Sequence, residues 1–207
     1  MSDANNLSYW ENQKVTSEEK VIVKYLKNNI TEKGLKILHI GIGSSYLLLN
    51  LHKIFSHIYG VTIAGLEKTK ADNYKIINNS NYIIDKYNSK KLKQYFKPNS
   101  IDYIVDINLK SFAPDKLSFV NMFRDFSNIL TKNGTIITAK SGMDWTTMIE
   151  EVNGTLYQIG SNSKNVLSRN ELYVISNEHD LSVSSINIKY GFMFKKNEEL
   201  FLIKKRH

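Results

Sequence analysis

The chain has 207 residues, no cysteine, 42% hydrophobic content and 28 lysine plus arginine side chains against 20 aspartate plus glutamate. The length suits one ordinary domain, residues 1–207 with an N-terminal arm over 1–15, and the apolar content excludes an intrinsically disordered chain. The missing cysteines exclude a disulfide scaffold, a thiolate metal site and a cysteine nucleophile.

No apolar run approaches the ~20 residues a membrane helix needs. The start, MSDANNLSYW, has no basic region followed by an apolar core, so the expected compartment is the cytoplasm, with no membrane partner. The net charge of +8 is almost all lysine, the arginines being Arg124, Arg169 and Arg206. Phosphate and base recognition lean on the bidentate fork of arginine, so the charge predicts a solvated surface and no nucleic-acid partner.

Taken in chain order, Thr16 and Glu19 form a capping box that opens a helix to Ile30, with Ile22, Tyr25 and Leu26 on one face. Leu35 to Ile40 reads as a buried strand ending at Gly41. Tyr46 to Phe55 reads as a helix, Ile58 to Ile63 as a strand and Leu66 to Asn78 as a helix. A third strand is expected at Tyr82 to Ile84, a short helix at Lys90 to Phe96 and a fourth strand at Ile101 to Ile107. Pro114 opens a helix that should stop at the turn signal Asn133-Gly134, before a fifth strand from Thr135 to Ala139. Gly154 to Val166 reads as irregular. Ser168 with Glu171 caps a helix to about Asn177, and strands Leu181–Tyr190 and Leu200–Lys204 follow, joined by the turn Lys195-Lys196-Asn197. Short strands that alternate with helices and are apolar on both faces imply a parallel sheet covered on two sides, here ending in an antiparallel hairpin.

The most informative stretch is Ile37 to Tyr46, in which a strand runs into Gly41-Ile42-Gly43 and then into a helix. Glycines there let the backbone turn tightly and lie close to a ligand, and the same pattern also makes a plain strand-to-helix turn. A dinucleotide fingerprint wants a third glycine where Tyr46 stands, which argues against NAD or FAD.

With a small residue at Ser45 instead, the chain resembles the class I S-adenosylmethionine-dependent methyltransferases over roughly residues 18 to 205. Ile37 to Ser45 is similar to their first motif and Gly60-Val61-Thr62-Ile63 to the end of their second strand. Asn99 to Asp106 is similar to their fourth-strand entry, and Ile129 to Thr135 to their leucine-lysine-proline-glycine turn, with Asn133 in place of the proline. Leu167 to Leu172 resembles the helix start before their terminal hairpin. The resemblance implies a three-layer Rossmann-like α/β sandwich with a mostly parallel seven-stranded sheet and a C-terminal antiparallel hairpin. It implies S-adenosylmethionine as cofactor and methyl transfer as the activity.

Carried over residue by residue, the resemblance assigns the cofactor to His39, Gly41, Gly43, Ser44, Ser45, Thr62, Glu67, Asn88, Ser89 and Asp106. The pattern departs at three of them. His39 stands where the family has an acid near the cofactor's amino group; it is either a hydrogen-bonding replacement or a core histidine. Thr62 replaces the carboxylate that grips the ribose hydroxyls. Cyclopropane-fatty-acid synthases have a similar Gly-x-Thr with a glutamine five residues on, where this chain has Glu67. Glu67 is thus either the ribose acceptor or an exposed first-turn glutamate. Asn88 falls where an aspartate often meets the adenine amino group.

Methyl transfer needs alignment and exclusion of water more than a general base, so no base and no metal is expected. Asp106 and Asn108, at the end of strand four, are candidates for the acceptor, though Asp106 also reads as a turn cap. Tyr9 and Trp10 either cover the site or staple the arm, and Trp145 belongs to the same side of the sheet. The absence of an Asn-Pro-Pro-Tyr-like tetrapeptide after strand four argues against base-amino and glutamine methylation and favours a small-molecule acceptor. The alternative is a non-catalytic protein of this fold that binds a metabolite or a protein partner.

Overall fold

The computed structural model describes residues 14–62, 65–74, 80–84, 89–107, 116–143, 146–152, 155–162, 168–190 and 196–206. Helix α1 spans Ser17–Asn29 and is opened by the expected capping box: Thr16 Oγ1 accepts from the Glu19 N–H at 3.2 Å, and Glu19 Oε2 accepts from the Thr16 N–H at 2.8 Å. Then follow β1 (Lys36–Ile40), α2 (Tyr46–Leu51), β2 (His57–Thr62), α3 (Gly65–Asp72), β3 (Ser80–Ile84), α4 (Ser89–Tyr95), β4 (Ile101–Asp106), α5 (Lys116–Ile129) and β5 (Leu130–Ala139). After a 3₁₀ turn at Ser141–Met143 come β6 (Thr146–Val152), β7 (Thr155–Asn162), α6 (Arg169–Glu178), β8 (Leu181–Tyr190) and β9 (Lys196–Lys205).

The main sheet has seven strands in the order β3-β2-β1-β4-β5-β9-β8, and β6 with β7 forms a separate two-stranded sheet. β1 to β5 pair in parallel, whereas β9 is antiparallel to both β5 and β8. Alternate residues of each central strand enter opposite clusters. Leu38, Ile104 and Ile136 pack with Leu92 of α4, Phe123 and Phe126 of α5 and Leu172 of α6. Ile37, Val105 and Ile137 pack with Ile22 and Leu26 of α1 and Leu47 and Leu51 of α2. Burying each such large apolar side chain contributes about 1.5–3 kcal/mol, so helices and sheet hold each other in register.

Five boundaries differ from the expectations, the first being α3, which ends at Asp72 rather than Asn78. Helix α2 ends at Leu51 rather than Phe55, because the pattern tightens: the Ile54 N–H turns back to Leu51 O at 2.9 Å. Helix α5 stops at Ile129, and Asn133-Gly134 lies inside β5 instead of ending the helix. The pairing of β4 with β5 jumps from Ile101–Leu130 to Tyr103–Thr135, a bulge fixed by the bond from Thr131 Oγ1 to Asp102 Oδ1 at 3.0 Å. Glycine is required at its crest, since a Cβ on Gly134 would lie 2.5 Å from Leu130 Cγ and 3.1 Å from Asp102 O. In the tail, Lys196 and Asn197 pair with Tyr190 and Lys189 and so belong to β9, not to a turn. The stretch from Gly154 onward is not irregular throughout, because β7 pairs with β6 from Thr155 to Asn162.

The excursion that carries β6 and β7 leaves and returns at one place. At its start, Ser141 donates from N and Oγ to Glu198 Oε1 at 3.2 and 2.9 Å, and its Oγ lies 2.8 Å from Glu18 Oε1. The Lys140 N–H donates to Glu199 O at 2.8 Å. At its end, Arg169 Nη2 lies 2.6 Å from both carboxylate oxygens of Glu199, with the guanidinium 5.4 Å from the centre of the Phe201 ring. Among the described residues no helix is long and apolar enough to cross a membrane.

Candidate functional site

The site lies at the C-terminal edge of the parallel strands, where open α/β sheets bind their ligands. β1 runs out of the sheet at Gly41, whose N–H donates to Val61 O at 2.8 Å and ties the loop to β2. Gly41 and Gly43 have φ of 74° and 50°, a region glycine enters without cost. Ser45 is held at φ 61° and precedes α2 without a side-chain cap bond. Left-handed backbone costs a non-glycine residue about 1–2 kcal/mol. Ser45→Gly is therefore expected to raise the urea midpoint by roughly 1 kcal/mol of unfolding free energy; an unchanged or lower midpoint would show that Ser45 is not strained.

Three side-chain atoms around this loop are buried and have no hydrogen-bond partner: His39 Nε2, Ser44 Oγ and Ser45 Oγ. A buried donor or acceptor left unmade costs about 1–3 kcal/mol, so three together mark a place not optimised for stability alone. His39 is 3% exposed, and burial pushes its pKa down to about 4, so it is a neutral imidazole at pH 7.

Glu67, in the first turn of α3, is 3% exposed, which overturns the reading of a solvent-facing glutamate. Its carboxyl accepts from the Thr62 hydroxyl at the end of β2 and from the backbone N–H of Gly43. Burial holds the carboxyl well above the usual range; the Gly43 bond pulls it down and the Glu19 charge pushes it up. The chain thus delivers a carboxyl to the end of β2 from the following helix, bridging the second strand and the glycine loop.

Asp106 is the last residue of β4, fully buried, and pairs with Ile40, so it stands next to the start of the loop. Ser89 is the first residue of α4. Tyr9, Trp10, Asn88, Asn108 and Trp145 lie outside the described residues. His39, Gly41, Gly43, Ser44, Ser45, Thr62, Glu67 and Asp106 are brought to one edge of the sheet. Sequence reasoning did not find Glu19, the N3 residue of the α1 capping box, which is near enough to act on the charge of Glu67. The capping pattern was visible, but no local signal reports what lies across from it.

Among the described residues no group of three or more histidine, aspartate or glutamate side chains could hold a metal ion. A cleft of ≈ 270 Å³ lies at the opposite end of the sheet, lined by Asn29, Glu32, Leu35, Asp102, Tyr103 and Thr131, and takes no part in the glycine-loop site.

No protein-family model and no curated protein matches the chain. Solved structures do. An S-adenosylmethionine-dependent methyltransferase from Clostridium acetobutylicum ATCC 824 matches at TM-score 0.63 and 11% identity, over 95% of this chain and 94% of that one. Magnesium protoporphyrin IX methyltransferase from Synechocystis PCC 6803, with bound S-adenosylmethionine, matches at TM-score 0.57 and 12% identity over 90% and 78%.

The chain has the class I methyltransferase fold.

Within that fold the chemistry varies: the [4+2]-cyclase SpnF matches at TM-score 0.61 and 9% identity, over 91% of this chain and 81% of that one. In this member of the fold, function must therefore be argued from the residues at the edge of the sheet.

Proposed function

We propose that the chain transfers a methyl group from S-adenosylmethionine to a small-molecule acceptor. The observation that carries this reading is the set of unpartnered buried atoms, His39 Nε2, Ser44 Oγ and Ser45 Oγ, around a glycine loop onto which Glu67 is already folded. These groups suit the cofactor. The loop at Gly41 and Gly43 admits a ligand against bare backbone, and Ser44 and Ser45 offer hydroxyls to its polar end. Glu67, beside Thr62, accepts from the two ribose hydroxyls in place of the missing strand-end acid. Its two carboxyl oxygens can accept from both hydroxyls of a diol. Asn88 and Ser89 are proposed for the adenine edge, Asp106 and Asn108 for the side where the acceptor enters, and Tyr9, Trp10 and Trp145 for its cover. Bound there, S-adenosylmethionine supplies a methyl carbon activated by its sulfonium. The protein's own work is to align that carbon with the nucleophile and keep water away.

Titration calorimetry with S-adenosylhomocysteine tests the reading. Saturable binding below millimolar concentration is expected; no heat at millimolar ligand would hand the chain to the non-catalytic alternative. Glu67→Ala is expected to weaken that binding by about 1.5–3 kcal/mol, the worth of a charge-assisted hydrogen bond, and an unchanged affinity would remove Glu67 from the ribose.

The acceptor is proposed to be no nucleic acid. The charge excess is lysine, and the terminal Lys204-Lys205-Arg206 run is too short to track a phosphate backbone. Binding to mixed RNA is expected to be weak and to vanish by about 150 mM salt. Sub-micromolar RNA affinity at that salt would make the acceptor RNA.

A further inference from the structure

The row of groups at the sheet edge continues one strand past Asp106. Thr138 is the penultimate residue of β5, fully buried, and its Oγ1 has no hydrogen-bond partner. β4 and β5 run parallel with Val105 opposite Ile137, so the next residue on each strand, Asp106 and Thr138, are neighbours. They also share a face. Ile104 and Ile136 enter the cluster on the α5 side and Val105 and Ile137 the cluster on the α1 side, so Asp106 and Thr138 return to the α5 side. Ile40 flanks Asp106 on the other side, and Gly41 follows it. Reading across the edge, the glycine loop, Asp106 and Thr138 form one contiguous line.

The hydroxyl of Thr138 is not explained by packing. Its neighbours on the strand are Ile136, Ile137 and Ala139, and it pairs with Phe201 of β9. Valine has nearly the same shape and would remove the unpaired polar atom, so in an otherwise apolar stretch the hydroxyl is retained against stability.

We propose that Thr138 and Asp106 form a polar subsite beside the glycine loop that holds the nucleophilic group of the acceptor, an amine or hydroxyl bearing a hydrogen-bond donor. A carboxyl oxygen and a threonine hydroxyl both accept, so the pair suits a group with N–H or O–H. Neither side chain offers a positive charge to an anionic nucleophile. The subsite rests on the methyl-transfer reading and deepens it by naming the acceptor's chemistry as a neutral or cationic N–H or O–H donor. Thr138 acts here as a positioning residue.

Sinefungin probes the subsite without knowledge of the acceptor, because its amine stands where the donor's methyl group would be. Calorimetry compares it with S-adenosylhomocysteine, which lacks that amine. The wild type is expected to bind sinefungin ~10-fold more tightly, through charge-assisted bonds to Asp106 and a bond to Thr138. Thr138→Val and Asp106→Asn are each expected to shrink that ratio at least ~5-fold, and Thr138→Ser, which keeps the hydroxyl, to preserve it. The ratio is read on each variant's own two affinities, so a general loss of stability does not mimic the result. Equal affinity of the wild type for both ligands, or a ratio that survives Thr138→Val, overturns the subsite and leaves methyl transfer standing. Binding of neither ligand overturns the methyl-transfer reading and the subsite together.

Discussion

Lowering the pH from 7 to 5 is expected to cost the protein about 2 kcal/mol of folding stability through His39 alone. The imidazole sits mid-sheet on β1, flanked by Gly60 and Val105, and burial brings its pKa from 6.5 to about 4. The folded state therefore binds fewer protons than the unfolded chain between those two values. Stability from this group is complete above about pH 6.5 and is lost progressively as the pH falls towards 4. Glu19 and Glu67 have raised values for the same reason, burial, and act with the opposite sign: the folded state holds their protons longer, so the stability they cost near neutrality returns on acidification. Comparison with His39→Leu cancels those contributions. Urea midpoints at pH 7 and pH 5 should fall more in the wild type than in the variant, and parallel loss in both would show that His39 is already protonated, or exposed, in the native protein.

Gly43→Val is expected to abolish S-adenosylhomocysteine binding, a loss beyond ~100-fold, while leaving a folded protein. The glycine sits at φ 50°, where a β-branched side chain is strained, and its N–H is the one that meets Glu67. The substitution thus moves the loop and fills the space against which a ligand would lie. A strain of about 1–2 kcal/mol should appear as a lower melting temperature. Retention of binding within a few-fold of wild type would place the ligand elsewhere on the molecule.

Much of the fold is legible in the chain because its signals are local. The capping boxes at Thr16–Glu19 and Ser168–Glu171 both form, and the apolar runs of β1, β2 and β4 reach their places. The misread boundaries are those decided by distant contacts. Asn133-Gly134 is a turn signal by itself, yet it becomes a bulge because Thr131 finds Asp102 and Leu130 is buried beneath the glycine. The β6–β7 hairpin did carry a local signal, Asn153-Gly154 between Val152 and Thr155, the two-residue connection that favours tight hairpins. Its flanks lack clean alternation, with Glu150-Glu151 on one side and Gly160 on the other, and so the pattern is masked. At the site, the glycine loop is readable from residue spacing alone. The burial of Glu67 is not, because a glutamate in a first turn looks the same whether it faces water or is held by Thr62 and Gly43. The orphaned hydroxyl of Thr138 is likewise invisible in a strand where threonine is an ordinary choice.

Glu198 and Glu199, adjacent on β9, receive both ends of the excursion between Ser141 and Arg169. Its entrance and exit are thereby pinned to one point of the sheet, and among the described residues its strands β6 and β7 pair with each other and not with the main sheet. Loop-closure entropy grows only slowly with length, by about 0.6 kcal/mol per doubling, so a segment held this way can lengthen, shorten or be exchanged almost without thermodynamic penalty. The excursion leaves from the C-terminal end of β5, one strand from Asp106, so such variation would fall on the rim of the ligand edge and leave the glycine loop unaltered. On the methyl-transfer reading, exchange of this one segment would alter the acceptor side and leave the cofactor loop in place.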